Sequence, residues 1–242
     1  MLNGKKEEQD FKDRNIMNNL LVISLERAKE RRQKMQDQLL NLQIDGAIFD
    51  AVDWKSLEEM DLNKKIWLPG GYRYGEVMRP SEIACTMSHI KALQYAQLKS
   101  WPYVIILEDD VVLAEDFKER IKFLLKILPN GWEHVYLSGI PRLPFGYFPN
   151  LSFKHIEPSV FTECTFSMMI HSSAYQKIID YLWKFSTTTD DMYCQMVKDK
   201  YINSFTYYPF VTYTDEVYSF IWDQNTREGY VHPSKKYFRE NI

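Results

Sequence analysis

Apolar and polar positions at the start of the chain follow the order that is typical of an α/β sheet. Residues 19–25 (NLLVISL) form an apolar run of strand length. Between residues 26 and 42 apolar side chains then recur at spacings of 7, 4 and 3, which is a helical stripe. Residues 47–52 predict a second strand. A chain that opens with strand, helix and strand favours an α/β fold.

The alternation continues along the chain. Ser81 is expected to cap a helix that runs to Leu98, with Glu82 placed favourably for the helix dipole. Residues 103–107 (YVIIL) are the clearest strand, and residues 117–128 predict the helix that follows it. The same reasoning predicts a strand at 133–138, a strand at 160–171 and a helix at 173–185.

The remaining segments carry less periodicity. Residues 140–158 are interpreted as a surface loop, and the pattern beyond about residue 190 is irregular and aromatic. No stretch of linker composition interrupts the chain. We therefore predict a single domain over residues 16–242, preceded by a polar, flexible tail at residues 1–15.

Composition narrows the classes of function. The formal net charge is −3, so the chain lacks the excess of basic residues that is typical of a nucleic-acid-binding protein. No apolar run approaches the roughly 20 residues of a membrane span, and the N-terminus lacks the apolar core of a secretory signal. The expectation is a soluble, cytoplasmic protein whose contact with membranes, if any, is peripheral. Its oligomeric state stays open, and its three cysteines are interpreted as small buried hydrophobes.

Three consecutive carboxylates follow the clearest strand. We call Glu108, Asp109 and Asp110 the acidic triplet. Ligands of open α/β sheets collect at the carboxyl ends of strands, and two carboxylates two positions apart can hold one hard cation such as Mg²⁺ or Mn²⁺. A solvated turn, a helix cap or a phosphoryl-transfer site would show the same residues, so the triplet alone does not decide.

Four segments in order resemble glycosyltransferase family 25, the lipopolysaccharide and procollagen galactosyltransferase group. They are residues 22–27 (VISLER) continuing through 30–32 (ERR), residues 49–53 (FDAVD), residues 79–89 (RPSEIACTMSH) and residues 106–111 (ILEDDV). The third segment carries the pattern P-x-E-x-x-C-x-x-S-H, and the fourth is similar to the family's DxD motif. Weaker similarity continues at residues 165–174, 189–191 and 209–211.

The resemblance implies a GT-A type fold, a Rossmann-like α/β/α sandwich with a central mixed sheet. It also implies a metal-dependent, inverting transfer of a hexose, usually galactose, from a UDP-sugar to a glycan or hydroxylysine-type acceptor, with Mn²⁺ or Mg²⁺ as cofactor. On this basis Asp110 and Glu108 are the predicted metal ligands. Asp109 is expected to meet the ribose or the sugar of the donor.

Several further residues are candidates for donor binding. Arg27 could reach a phosphate or the uridine, and Asp50 and Asp53 could bind uracil or ribose hydroxyls. Arg79 could contact the diphosphate, and His89 could orient a loop or the donor. Each has a plain structural alternative: a solvated arginine, a turn-capping aspartate or a packed histidine. Arg31 and Arg32 are interpreted as surface charges.

An inverting transfer also needs a base for the acceptor hydroxyl, and a carboxylate is the usual choice. Asp190 and Asp191 are the candidates because they follow three threonines and open a predicted helix. The family usually has Pro-Val-Asp where this chain has Thr188-Thr189-Asp190, and N-capping is the competing role. Later candidates are less specific: Asp215 and Glu216 as bases, and His232 as a metal ligand.

Two other functions compete with the enzyme hypothesis. One is a non-catalytic binding module that keeps the fold of the family, against which the intact acidic triplet argues. The other is a nucleotidyl- or phosphoryl-transfer enzyme, for which the sequence contains no P-loop or glycine-rich phosphate loop.

Overall fold

The computed structural model describes residues 17–59, 78–141, 155–160, 162–214, 218–219 and 224–225. The predicted tail at residues 1–15 lies outside these ranges. The helices are α1 (Lys29–Asn41), α2 (Trp54–Glu59), α3 (Pro80–Leu98), α4 (Phe117–Ile127), α5 (Tyr175–Leu182) and α6 (Thr189–Lys198), with a 3-10 turn at Ser172–Ala174. None of them is long and apolar enough to cross a bilayer.

A mixed sheet of seven strands forms the centre of the described residues, in the order β2-β1-β3-β9-β5-β10-β7. Its strands are β1 (Leu20–Ser24), β2 (Ala47–Asp50), β3 (Tyr103–Glu108), β5 (His134–Tyr136), β7 (Ile156–Pro158), β9 (Ser167–His171) and β10 (Ser204–Tyr207). The shorter strands pair outside this sheet: β4 (Val111–Leu113) with β11 (Thr212–Thr214), β6 (Ile140–Pro141) with β8 (Thr162–Glu163), and β12 (Tyr218–Ser219) with β13 (Gln224–Asn225).

Strand direction divides the sheet. β2, β1 and β3 run parallel, whereas β9 lies antiparallel between β3 and β5. β10 is parallel to β5, and β7 closes the edge antiparallel to β10. Because β1, β2 and β3 are parallel, their carboxyl ends meet at one edge of the sheet, where ligands of α/β proteins collect.

Helices cover both faces of the sheet. Side chains alternate along β1, so Leu21 and Ile23 join the core under α3, α5 and α6, whereas Leu20 and Val22 join the core under α1 and α4. This burial on both sides explains why the central strands are continuously apolar. The structure confirms the predicted α/β sandwich with a central mixed sheet.

Four local predictions need correction. Helix α3 begins at Pro80 with Arg79 as its N-cap, so Ser81 lies inside the first turn instead of capping it. The predicted loop at 140–158 carries a strand at each end, and the predicted strand at 160–171 is divided into β8 and β9. The segment after residue 190, whose pattern is irregular in sequence, contains most of α6 and the strands β10 and β11.

A side-chain amide completes the edge of β4, directly after the acidic triplet. Gln38 of α1 donates from Nε2 to the Val111 carbonyl at 3.0 Å and accepts at Oε1 from the Leu113 N–H at 2.8 Å. The amide thus acts as a short neighbouring strand. It satisfies two backbone groups that would otherwise be left at a partly buried edge.

We expect Gln38→Leu to lower the free energy of unfolding by about 1–3 kcal/mol, because it removes the partners of two partly buried backbone groups. Gln33→Leu on the same helix is the matched control, since Gln33 is exposed and bonds to Asp37 alone among the described residues; its effect should stay within about 0.5 kcal/mol. Urea unfolding followed by circular dichroism measures both. Equal effects of the two substitutions would contradict the role of Gln38.

Candidate active site

A pocket opens at the common carboxyl edge of β1, β2 and β3, bounded by the N-terminal half of α3. Its lining residues are of two kinds. We call Ile23, Leu25, Ala51, Val52, Trp54 and Ala84 the apolar lining. The polar lining consists of Ser24, Arg31, Ser81, Cys85, Ser88, His89 and the acidic triplet. We call this the acidic pocket.

Asp109 is held by the protein itself. Its carboxylate accepts hydrogen bonds from the Ser24 hydroxyl and, at 3.0 Å, from Arg31 Nη1. The side chains of Arg31 and Asp109 are only 12% and 10% exposed. Burial raises the pKa of Asp109, although the bonds from Ser24 and Arg31 oppose this rise. Asp109 therefore ties β1, α1 and the acidic triplet together.

The interpretation of Arg31 and Arg32 as surface charges is wrong. Arg31 pairs with Asp109 in the pocket wall. Arg32 donates to the Ser24 carbonyl at 2.7 Å and to Asp50 at 2.6 Å, and its side chain is 17% exposed. Both residues occupy the first turns of α1, which packs directly against the end of β1, so the helix start that looks solvated in sequence is covered in the fold.

Glu108 ends β3 and faces α3. Its Oε1 accepts from the Thr165 hydroxyl at 3.1 Å and lies 3.4 Å from His89 Nε2. His89 is fully buried, so it belongs to the pocket wall as well as to the packed interior. Glu108 and Asp110 both line the acidic pocket, and their carboxylate oxygens are ligands that hard divalent cations prefer.

Arg27, Asp53 and Asp50 do not line the acidic pocket, and each is held in an ion pair: Arg27 with Asp53, and Asp50 with Arg32. Arg27 Nε donates to Asp53 at 2.7 Å, with both side chains about one-third exposed. Burial acts to raise the pKa of Asp53, but the bonds from Arg27 and the Lys55 N–H outweigh it and lower the pKa. Their donor-binding roles stay predictions.

Arg79 and Ser88 make hydrogen bonds near the two ends of the part of α3 that lines the pocket. The backbone N–H of Arg79 donates to Glu82 Oε2 at 2.8 Å, which stabilises the helix start. The Ser88 hydroxyl accepts from the Val52 N–H at 2.9 Å and donates to the Ala84 carbonyl at 2.7 Å. Ser88 thereby attaches the segment after β2 to α3. The predicted diphosphate contact of Arg79 stays a prediction.

The start of α6 presents Asp190 and Asp191. The Thr188 hydroxyl lies 2.6 Å from Asp190 Oδ1 and 2.7 Å from Asp191 Oδ2, and the Thr187 hydroxyl lies 3.4 Å from the latter. Burial raises the pKa of Asp191, although the bond from Thr188 opposes the rise. A carboxylate with a raised pKa is better matched to accept a proton near neutral pH.

The pKa values of two cysteine thiols respond to charges from both the start of α6 and the acidic triplet. Burial first, and then the negative charges of Asp190 and Glu108, raise the pKa of Cys164. Burial and Glu108 likewise raise the pKa of Cys85, with a smaller contribution from Asp190. Asp190 and Asp191 do not line the acidic pocket, but Thr189 beside them places its hydroxyl 3.5 Å from Sγ of the pocket residue Cys85.

Sequence reasoning missed several residues of this region. Cys85 was interpreted as a packing residue, yet it stands four positions before His89 on the same face of α3 and lines the pocket. Trp54 also lines the pocket. Asp215, Glu216 and His232 lie outside the described residues.

A comparison with known proteins matches the part of the chain that contains the four segments of the family resemblance. The model of glycosyltransferase family 25 (LPS biosynthesis protein) matches residues 17–194. Procollagen galactosyltransferase 2 of Mus musculus is 30% identical over 138 residues, which is 53% of this chain and 22% of that protein. The probable inactive glycosyltransferase 25 family member 3 of Rattus norvegicus is 29% identical over 126 residues, 49% of this chain and 22% of that one.

The chain spans about a fifth of the length of the curated relatives it matches. Among solved structures, a glycosyltransferase involved in the glycosylation of the major capsid of PBCV-1 matches with a TM-score of 0.38 and 11% identity, over 66% of this chain and 64% of that chain.

We expect Arg31→Met to lower the free energy of unfolding by about 3–5 kcal/mol, because it leaves the buried Asp109 carboxylate without its cation. Arg27→Met is the matched control: its ion pair is about one-third exposed, so the loss should be below about 1 kcal/mol. Urea unfolding of both variants and of Arg31→Met/Asp109→Asn measures the difference. An Arg31→Met effect no larger than that of Arg27→Met would contradict the structural role of the pair.

Proposed function

Because this chain belongs to glycosyltransferase family 25, we propose that it transfers a hexose, with galactose as the first candidate, from a UDP-sugar to a hydroxyl of a glycan or hydroxylysine-type acceptor. Its Rossmann-like sandwich around a mixed sheet is of the GT-A type. The observation that carries the proposal is the acidic pocket. There Glu108 and Asp110 lie at the carboxyl edge of parallel strands and line the same pocket as apolar and aromatic residues.

The two kinds of lining residue suit the two chemical parts of a nucleotide-sugar. Trp54, Val52 and Ala51 are aromatic and apolar residues suited to a base. The carboxylates of the acidic triplet suit a diphosphate only with a cation, because carboxylates alone repel it. Arg27, Asp50 and Asp53 are near enough in sequence to Ala51, Val52 and Trp54 to remain candidates for the ribose and uracil hydroxyls.

The carboxylates of the acidic triplet fit a hard divalent cation, Mn²⁺ or Mg²⁺. Arg31 and Ser24 engage Asp109, so Glu108 and Asp110 are the carboxylates of the triplet that we assign to the cation. When bound, the cation would supply electrostatic stabilisation of the charge that develops on the departing diphosphate. The protein contributes the orientation of the two carboxylates, with Thr165 holding Glu108.

We assign proton transfer to Asp190 or Asp191. In an inverting transfer the acceptor oxygen attacks the anomeric carbon opposite the departing UDP, and its proton passes to a carboxylate. The start of α6 supports this role, because Thr189 beside Asp190 contacts the pocket residue Cys85 and because burial raises the pKa of Asp191.

A non-catalytic binding module is the second candidate. It is favoured by the relatives of this chain that carry the word inactive in their names. The retention of Glu108 and Asp110 in one pocket favours the enzyme, since a binding module has no need to keep both carboxylates at a strand end. Cation-dependent nucleotide binding separates the two candidates.

Calorimetric titration with UDP and a panel of UDP-sugars, first in Mn²⁺ and then in excess EDTA, tests donor and metal together. We expect one UDP-sugar to bind with metal, and Asp110→Asn to weaken that binding at least about tenfold. Asp180→Asn, at an exposed position of α5, is the control and should bind like the native protein. If no uridine nucleotide binds under either condition, the enzyme proposal fails.

A second test concerns the base. Thr188→Val removes a hydroxyl that opposes the raised pKa of Asp191, so that pKa should rise further. Because a base acts only when it is deprotonated, the acid-side fall of kcat/KM for UDP release should move to higher pH. Thr187→Val removes a longer bond of 3.4 Å and should move it less. An unchanged profile for Thr188→Val would exclude Asp191 as the base.

A further inference from the structure

We propose that the acidic pocket also contains a site for a thiophilic divalent cation, with Zn²⁺ as its natural class, formed by Cys85, His89 and Glu108. This site differs from the proposed Mn²⁺ or Mg²⁺ site in its sulfur and nitrogen ligands. The two sites share Glu108. The proposal concerns binding of the metal alone and does not depend on the transfer reaction.

The three side chains converge from two elements. Cys85 and His89 stand four residues apart on α3, so they project from one face of that helix. Glu108 approaches from the end of β3. One ligand atom from each residue lies within 4.8 Å of the other two. The separation of His89 Nε2 from Glu108 Oε1 is 3.4 Å, close to the distance of about 3.3 Å between two such ligands on a tetrahedral zinc ion.

His89 supplies an independent indication that a ligand belongs here. The residue is fully buried and lines the acidic pocket, and neither ring nitrogen has a hydrogen-bond partner among the described residues. Buried polar groups nearly always have partners, because an unsatisfied nitrogen loses its hydration without compensation. A cation between His89 and Glu108 would satisfy Nε2.

Hydrogen bonds behind the ligands resemble the supporting contacts of metal sites. The Thr165 hydroxyl donates to Glu108 Oε1 at 3.1 Å, and the Thr189 hydroxyl donates to Cys85 Sγ at 3.5 Å. Thr189 is in turn 2.8 Å from the Thr86 hydroxyl on α3. Such partners orient ligands and tune the affinity of a metal site. Here they hold the ends of the Cys85 and Glu108 side chains.

The chemistry of the ligands selects the cation. A thiolate and an imidazole favour zinc over magnesium or manganese, which prefer oxygen. The cation binds the thiolate, so the Cys85 proton passes to solvent on binding. Three protein ligands leave one coordination position toward the pocket. Zn²⁺ at this site would occupy Glu108 and so compete with the hard cation for that carboxylate.

Titration with Co²⁺ alone tests the site, because a cobalt–thiolate bond gives a charge-transfer band in the near ultraviolet. We expect one equivalent of Co²⁺ to produce the band in the native protein and Zn²⁺ to abolish it. Cys85→Ser should lack the band. His89→Gln and Glu108→Gln should either lack it or bind Co²⁺ at least about tenfold more weakly. Cys164→Ser is the matched control: it removes another free, partly buried thiol that does not belong to the cluster, so the band should remain.

Asp110→Asn separates the two metal sites, since it should retain the Co²⁺ band while losing Mn²⁺-dependent nucleotide binding. A native protein without the band, or a Cys85→Ser variant that keeps it, would overturn the proposal. Should His89→Gln not fold, as judged by circular dichroism, the Cys85→Ser and Glu108→Gln results still decide. Because the Co²⁺ titration contains no nucleotide, its failure is distinct from failure of the proposed transferase function.

Discussion

The buried contact of Asp109 with Ser24 and Arg31 is the constraint on which the candidate site depends. Three adjacent carboxylates repel one another, and burying them together is unfavourable unless some of the charge is compensated. Arg31 supplies that compensation for the middle carboxylate, and Ser24 fixes its direction. Because the two partners belong to α1 and β1, the same contact sets the distance between the first strand and the turn after β3.

This arrangement gives the three carboxylates different tasks. All three line the pocket, but Asp109 is engaged by Arg31 and Ser24 and stabilises the fold, whereas Glu108 and Asp110 are the candidate ligands. A sequence motif of three acids therefore combines a structural residue with candidate ligands. Substitution of Asp109 would disturb both properties together, and a loss of activity in such a variant would not by itself identify a donor contact.

The sequence predicted the parts of the fold where burial imposes one pattern. β1 and β3 are covered on both faces, so their runs of leucine, isoleucine and valine could be recognised directly. The acidic triplet was placed correctly at a strand end. The pairing of β9 between β3 and β5 could not be predicted, because a buried strand looks the same in sequence whichever neighbours it has.

The missed site residues have a common physical cause. Arg31 appears solvated because its helix is polar in sequence, and only the packing of α1 against β1 covers it. Cys85 resembles an ordinary small core residue until β3 brings Glu108 opposite it. Long-range contacts of this kind carry no local periodicity, so a single sequence cannot reveal them.

The position of β9 has a consequence for how the chain acquires its structure. During synthesis β3 can pair with β1 as soon as both have emerged, but its other edge has no partner until residues 167–171 follow. Over that interval an apolar strand exposes its backbone along one side, a template for pairing with another molecule. The strand that joins the two halves of the sheet thus also determines how long the nascent protein is vulnerable to aggregation.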